Sequence, residues 1–141
     1  MPRSEFDHEK LTVYQQALSF VGWATEILAR VPQRMAVHSQ FDRASTSIPL
    51  NIAEGTAKFT PPDRCRFFDT ARGSSVECAA CLDVLMVKKI LIRDEIEPGK
   101  ARLIGIVSML VGLIRANAPD RLREEPGGLP SWGARAGSGG G

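Results

Sequence analysis

Apolar residues recur every three to four positions over four long stretches of the chain, which is the pattern of amphipathic helices. Helix 1 is predicted to begin after an N-cap at Asp7 and to end at Val31, because Pro32 follows. Its apolar stripe consists of Leu11, Tyr14, Leu18, Val21, Ala24, Leu28 and Val31. No stretch shows the alternation of a half-buried strand, so the sequence predicts an all-α protein.

Helix 2 is predicted to begin after an N-cap at Ser39 and to end at Gly55, or one turn later at Lys58. Its apolar face consists of Phe41, Ala44 or Ser45, Ile48 and Ile52. Pro49 lies well inside this helix. A proline there removes a backbone hydrogen bond and crowds the carbonyl group of Ser45, so we expect a kink.

Helix 3 begins with the strongest local signal in the chain, Thr60-Pro61-Pro62-Asp63. This order is typical of an N-cap, a proline at the first helical position and an acidic residue at the third. The helix is predicted to run from Pro61 to about Leu91. Its buried side is expected to contain Phe67, Phe68, Ala71, Ser74, Cys78, Cys81 or Leu82, Leu85 and Met86.

Helix 4 is predicted to begin after Asp94, with Glu97 completing a capping box and Pro98 in the first turn, where a missing donor costs little. Asn117 and Pro119 end it. Its apolar face consists of Leu103, Ile106 or Val107, Leu110, Val111 and Ile114.

Four such helices with short connections predict an antiparallel up-down four-helix bundle over residues 1–117. The apolar bands of helices 1 and 4 are wider than one core needs, which favours self-association. Residues 118–141 are rich in glycine and proline and are predicted to form a flexible tail. Trp132 within this tail is a candidate anchor for a protein partner.

The composition is that of an ordinary soluble protein of 141 residues, with 43% hydrophobic and 24% charged residues and a net charge of +2. Of the three cysteines, Cys78 and Cys81 form a C-x-x-C pair without the further ligands that zinc requires, so we expect small buried hydrophobes in a reducing compartment. The first ten residues contain no apolar signal segment, and the longest apolar run, residues 103–114, is too short to span a bilayer. We therefore expect a cytoplasmic protein.

Polar residues interrupt the apolar face of helix 2 between Arg43 and Gly55. Ser47, Asn51 and Glu54 fall on one stripe, where burial without partners would cost several kcal/mol, roughly. The segment Gly73–Glu77 offers matching groups, Ser74 and Glu77, beside a glycine that would let two helices cross closely. We therefore predict a structural network of polar side chains: Ser47, Asn51, Glu54, Ser74 and Glu77. Arg43 or Arg72 would supply the countercharge.

The same residues do not match a catalytic or metal site. A di-iron bundle needs Glu-x-x-His, but Ala57 and Ala80 stand three residues after Glu54 and Glu77. Ser74 has no histidine available as its base. We therefore expect no enzymatic activity, no cofactor and no metal.

Basic residues could support nucleic-acid binding, although Asp63, Asp69 and Asp83 are interleaved with them. The alternative is a solvated face of mixed charge. The candidate contacts are Arg43, Lys58, Arg64, Arg66, Arg72, Lys88, Lys89 and Arg93.

The runs Arg43–Gly55 and Phe67–Glu77, with weaker similarity at residues 13–32 and 113–115, resemble the bacterial family of proteins encoded in 23S ribosomal RNA intervening sequences. The resemblance covers residues 6–117. It implies a left-handed up-down bundle assembled into a homopentameric ring, without established enzymatic activity. The fold is also similar to the accessory variability protein of diversity-generating retroelements, a basic pentamer that binds nucleic acid and a reverse transcriptase.

Two functions follow as expectations. The first is a non-enzymatic oligomeric scaffold that binds a protein partner. The alternative is an accessory protein that binds structured RNA or DNA, together with a reverse transcriptase.

Overall fold

The computed structural model describes residues 5–118 and contains four long helices. A short 3-10 helix at Asp7–Lys10 precedes α1 (Thr12–Leu28), α2 (Ala36–Ala57), α3 (Pro61–Val87) and α4 (Arg93–Asn117). Each long helix packs against its two neighbours around the bundle, α1 against α2 and α4, and α3 against α2 and α4. The prediction of an all-α, up-down four-helix bundle is therefore confirmed. The predicted tail and Trp132 lie outside the described residues.

One continuous core lies on the bundle axis. Three phenylalanines, Phe20, Phe41 and Phe68, are completely buried, and the rings of Phe20 and Phe41 meet edge to face with centroids 6.2 Å apart. The predicted faces of α2 and α4 are confirmed, since Ile48, Ile52 and Leu110 are buried. Burial of these apolar side chains is the main stabilising contribution to such a fold.

The face predicted for α1 was wrong by part of a turn. The core-facing residues are Val13, Ala17, Phe20, Ala24 and Ile27. Leu18, which the sequence placed inside, is 47% exposed. Two alanines, Ala17 and Ala24, and the completely buried Phe20 form the centre of this face.

Helix ends differ from the predictions in several places. The α1 helix ends at Leu28, three residues before the predicted Val31. Lys10 ends the separate 3-10 turn before α1 begins. The N-cap of α2 is Met35, so Ser39 lies inside the helix, where its hydroxyl donates to the Ala36 carbonyl. The α3 helix ends at Val87, four residues before the predicted Leu91.

The start of α4 also differs from the prediction. Ile92 is the N-cap, and its backbone N–H donates to Glu95 Oε1 at 2.9 Å, so the acid that closes this end is Glu95 and the predicted pair of Asp94 and Glu97 was wrong. Pro98 consequently lies inside the helix, beyond its first turn. The Thr60 cap of α3 is confirmed, because its hydroxyl accepts a hydrogen bond from the backbone N–H of Asp63.

None of the described helices combines the length and the apolar character that crossing a bilayer requires.

Candidate functional site

A hydrogen-bonded cluster joins α2 to α3 near the middle of the bundle. The hydroxyl groups of Ser47 and Ser74 lie 2.8 Å apart. Asn51, one turn after Ser47, donates from Nδ2 to both the Ser47 carbonyl and the Ser47 hydroxyl, at 2.9 Å each. All three side chains are half-buried. We name Ser47, Asn51 and Ser74 the α2–α3 polar network. Every bond in it joins neutral groups, and each such bond adds only modestly to stability. The main effect of the network is therefore to fix the register of the two helices.

An ion pair continues this contact toward solvent. Arg43 Nη2 lies 3.0 Å from Glu77 Oε2, with the two side chains 67% and 40% exposed. Arg43 is thus the countercharge for Glu77. Arg72, the other candidate, instead pairs with Asp69 on its own helix at 2.8 Å.

Glu54 does not join the network, and this part of the prediction was wrong. Its side chain is exposed and makes no hydrogen bond or ion pair with a described residue. The reason is the register of the helix pair. Because Ser47 stands opposite Ser74, Glu54 and Gly55 lie farther along α2, opposite the aromatic side chains of α3. At this position Phe68 touches Gly55.

The prediction of a close helix crossing at Gly73 was also wrong. No atom of another helix would lie within 4 Å of a Cβ atom at Gly73, so no helix crosses closely at this residue. The close approach of α2 and α3 is at Gly55, which the sequence used only as an end signal.

A shallow polar groove runs along the outer side of α2, beside the network. Its lining residues are Ser39, Asp42, Arg43, Thr46, Ser47, Leu50, Asn51 and Glu54. No histidine faces Ser74 as a base, and the described residues contain no group of histidine, cysteine and acidic side chains suited to a metal ion. The chemistry available in this groove is hydrogen bonding and ion pairing.

The three cysteines are buried, reduced and packed in the core. Burial, with smaller contributions from the nearby Cys81 and Glu77, raises the pKa of the Cys78 thiol to about 12. Burial also raises the pKa of Cys81. Because the thiolate is the nucleophile and the metal ligand, these two thiols are chemically inert in the folded protein.

Half of the basic residues proposed as nucleic-acid contacts make ion pairs within the protein. Besides Arg43 and Arg72, Arg66 lies 3.5 Å from Asp63, and Arg93 lies 3.9 Å from Glu97. Arg64 donates to the Lys58 carbonyl at 3.4 Å and buries its Nε atom, so it closes the end of α2.

The remaining three cations make no ion pair with a described residue and lie at opposite ends of α3. Lys88 and Lys89 are exposed just after its C-terminus, and Lys89 has a positive φ of 64°. Lys58 lies before its N-terminus. The structure therefore does not gather the eight residues into one basic face.

The connection between α2 and α3 contains a residue that the sequence analysis missed. Phe59 is 99% exposed. Beside it, the Lys58 ammonium group and the Arg66 guanidinium group each lie 4.9 Å from the centre of the Phe67 ring. We name Lys58, Phe59, Arg66 and Phe67 the Phe59 corner. The available signal was that Phe59 falls between two helix ends and so belongs to neither apolar stripe.

A second surface lies between α3 and α4. The sequence predicted wide apolar bands on helices 1 and 4, so it indicated the α4 side of this surface but not the α3 side. Between α3 and α4 lies an open groove, here the α3–α4 groove, and its wall is almost wholly apolar. The lining residues are Ser75, Val76, Ala79, Lys100, Leu103, Ile104 and Val107. Ile104 is 72% exposed and Val76 is 50% exposed.

Comparison with known proteins agrees with this architecture. A crystal structure of a protein of unknown function from the S23 ribosomal protein family of Bacteroides thetaiotaomicron has a similar fold, with a TM-score of 0.70 and 20% sequence identity over 74% of this chain and 99% of that chain. No curated protein sequence matches. The sequence model of the family described as 23S rRNA-intervening sequence protein matches residues 9–112, which is most of the chain. The chain therefore belongs to the 23S rRNA-intervening sequence protein family.

Proposed function

We propose that this protein is a non-enzymatic scaffold that self-associates through α4 and holds a protein partner in its assembled form. The observation that carries the proposal is the outward side of α4. Between Arg102 and Arg115 the helix contains no charged residue. A helix that covers a core on one side and meets water on the other normally has charged and polar residues on its outer side.

The outward residues are of the kind that meet another helix. Ile104 and Ser108 are exposed, and Gly105 and Gly112 have open space where a side chain would stand. Small residues allow two backbones to approach closely, and Ile104 adds an apolar contact. The α3–α4 groove continues this surface toward Val76. A second copy of the chain offers the same uncharged face, so both surfaces could be buried together without stranding a charge.

The polar residues of α2 and α3 support the non-enzymatic part of the proposal. Ser47, Asn51 and Ser74 satisfy one another, and Glu77 pairs with Arg43. Groups used in this way hold helices together and are not poised for proton transfer or nucleophilic attack.

Light scattering coupled to size-exclusion chromatography, at several protein concentrations, tests self-association. The wild-type chain should have a mass that is a multiple of the 15.4 kDa protomer, and five times that mass for the ring that the family resemblance implies. Ile104→Asp should yield a folded monomer. Leu50→Asp is the matched control, since Leu50 is 60% exposed on α2, and it should leave the mass unchanged. A monomeric wild type would refute the proposal.

Partner binding has its own test. Trp132, outside the described residues, is the candidate anchor for the partner. Trp132→Ala should leave the mass unchanged while reducing the amount of a partner that copurifies with the wild type. If the amount of copurifying partner is unchanged, Trp132 is not the anchor for that partner.

A further inference from the structure

Phe59 is held out from the protein on a turn that is fixed from both sides. Thr60, the next residue, caps α3, and Pro61 and Pro62 follow it. On the other side, Arg64 donates to the Lys58 carbonyl. Because the backbone of this turn is already ordered, covering Phe59 with a ligand requires little ordering beyond that of the Phe59 side chain itself.

The neighbours of Phe59 are cationic. The Lys58 ammonium group and the Arg66 guanidinium group each lie 4.9 Å from the centre of the Phe67 ring, so the two cations are placed by the same aromatic side chain. Asp63, 3.5 Å from Arg66, is the nearby acid, and both of these side chains are more than half exposed. At such exposure an ion pair is worth little, so Arg66 can exchange Asp63 for another anion at small cost.

We propose that the Phe59 corner binds single-stranded nucleic acid, with one base stacked on the Phe59 ring and the adjoining phosphates contacting Lys58 and Arg66. An aromatic ring that is open on its face, together with flexible cations, is the combination that recognises unpaired bases irrespective of sequence. A protein pocket would favour an apolar rim around the anchor, but the immediate neighbours of Phe59 are Lys58 and Thr60. Duplex DNA hides its base faces and would lose the stacking contact.

The test is fluorescence anisotropy of the full chain with a labelled oligothymidylate of about twelve nucleotides, at a low salt concentration of about 50 mM. The wild type should bind this strand more tightly than a duplex of equal length. Phe59→Ala should weaken single-strand binding about tenfold and leave duplex binding unchanged. Phe59→Trp should keep the affinity and show quenching of its indole fluorescence on binding, because a stacked base lies against the ring.

A pair of matched charge variants distinguishes binding at this corner from non-specific electrostatic attraction between the protein and the nucleic acid. Lys58→Gln with Arg66→Gln should weaken binding and flatten its salt dependence. Lys88→Gln with Lys89→Gln removes the same charge at the other end of α3 and should change binding far less. Failure of the wild type to bind at low salt, or equal binding by wild type and Phe59→Ala, would overturn the inference. Neither result bears on self-association, which the mass measurement decides separately.

Discussion

Gly55 on α2 lies directly against the ring of Phe68 on α3. A Cβ atom at position 55 would stand 2.7 Å from Cε1 of Phe68 and 3.1 Å from the carbonyl oxygen of Arg64. Phe68 is completely buried, so its ring has little room to withdraw. This contact and the Ser47–Ser74 hydrogen bond together set the distance and register between the two helices.

The same substitution at two glycines should therefore have opposite effects. Gly55→Ala should lower the free energy of unfolding by about 1–3 kcal/mol, the usual result of forcing extra atoms into a packed core. Gly73→Ala should raise it by about 0.5–1 kcal/mol, because Gly73 is exposed in a helix and has open space around it. Urea denaturation of both variants checks the pair, and equal effects would contradict the packing described here.

The comparison of Gly55 and Gly73 shows what the sequence could and could not predict. The Thr60 cap and the pairing of Ser47 with Ser74 depend on local spacing and on matching polar groups, and both are present in the structure. Which glycine allows the close contact depends on helix rotation, which one sequence does not determine. Gly73 is turned outward by the packing of its neighbours.

The errors on α1 and at Glu54 have related causes. Large apolar residues outline a plausible stripe through Leu18, but the core faces the adjacent stripe through Ala17 and Phe20, where the Phe20 ring meets Phe41 of α2. Glu54 shares its stripe with Ser47 and Asn51, yet only the register with α3 decides that no polar partner stands at its level. The exposure of Phe59 likewise depends on the conformation of the turn between α2 and α3, which the apolar patterns of the two helices do not predict.

The α2–α3 polar network should show measurable coupling. In a double-mutant cycle, Ser47→Ala and Ser74→Ala should interact by about 1 kcal/mol, the usual net value of a partly buried hydrogen bond. The Arg43 and Glu77 pair is more exposed and should couple by less than about 0.5 kcal/mol. Glu54→Gln should leave stability unchanged. A clear loss for Glu54→Gln would contradict its position outside the network.

The start of α4 should depend on Glu95 rather than on Asp94. The Arg30 guanidinium group, 2.5 Å from the Glu95 carboxylate, and the hydrogen bond from the Ile92 backbone N–H both lower the pKa of this carboxyl group. Glu95→Gln should therefore reduce the melting temperature at neutral pH, with the difference from wild type vanishing as the pH falls through the pKa of the folded-state carboxyl group. Asp94→Asn should have a smaller effect. Thermal unfolding followed by circular dichroism between pH 3 and 7, roughly the range in which carboxyl groups titrate, measures both.

Alkaline pH should destabilise the protein through Cys78. Its thiol has a pKa raised from 9.0 to about 12 in the folded state, so above pH 9 the unfolded chain releases a proton that the folded chain retains. Stability from this group is therefore complete below pH 9 and falls as the pH rises, by at most about 1.4 kcal/mol per pH unit. Cys78→Ala should show a shallower decline between pH 9 and 10.5 than wild type, although the cavity it leaves lowers its stability at pH 7. Iodoacetamide at pH 8 should leave Cys78 unmodified in the native protein and alkylate it in urea, and rapid native alkylation would contradict the burial of this thiol.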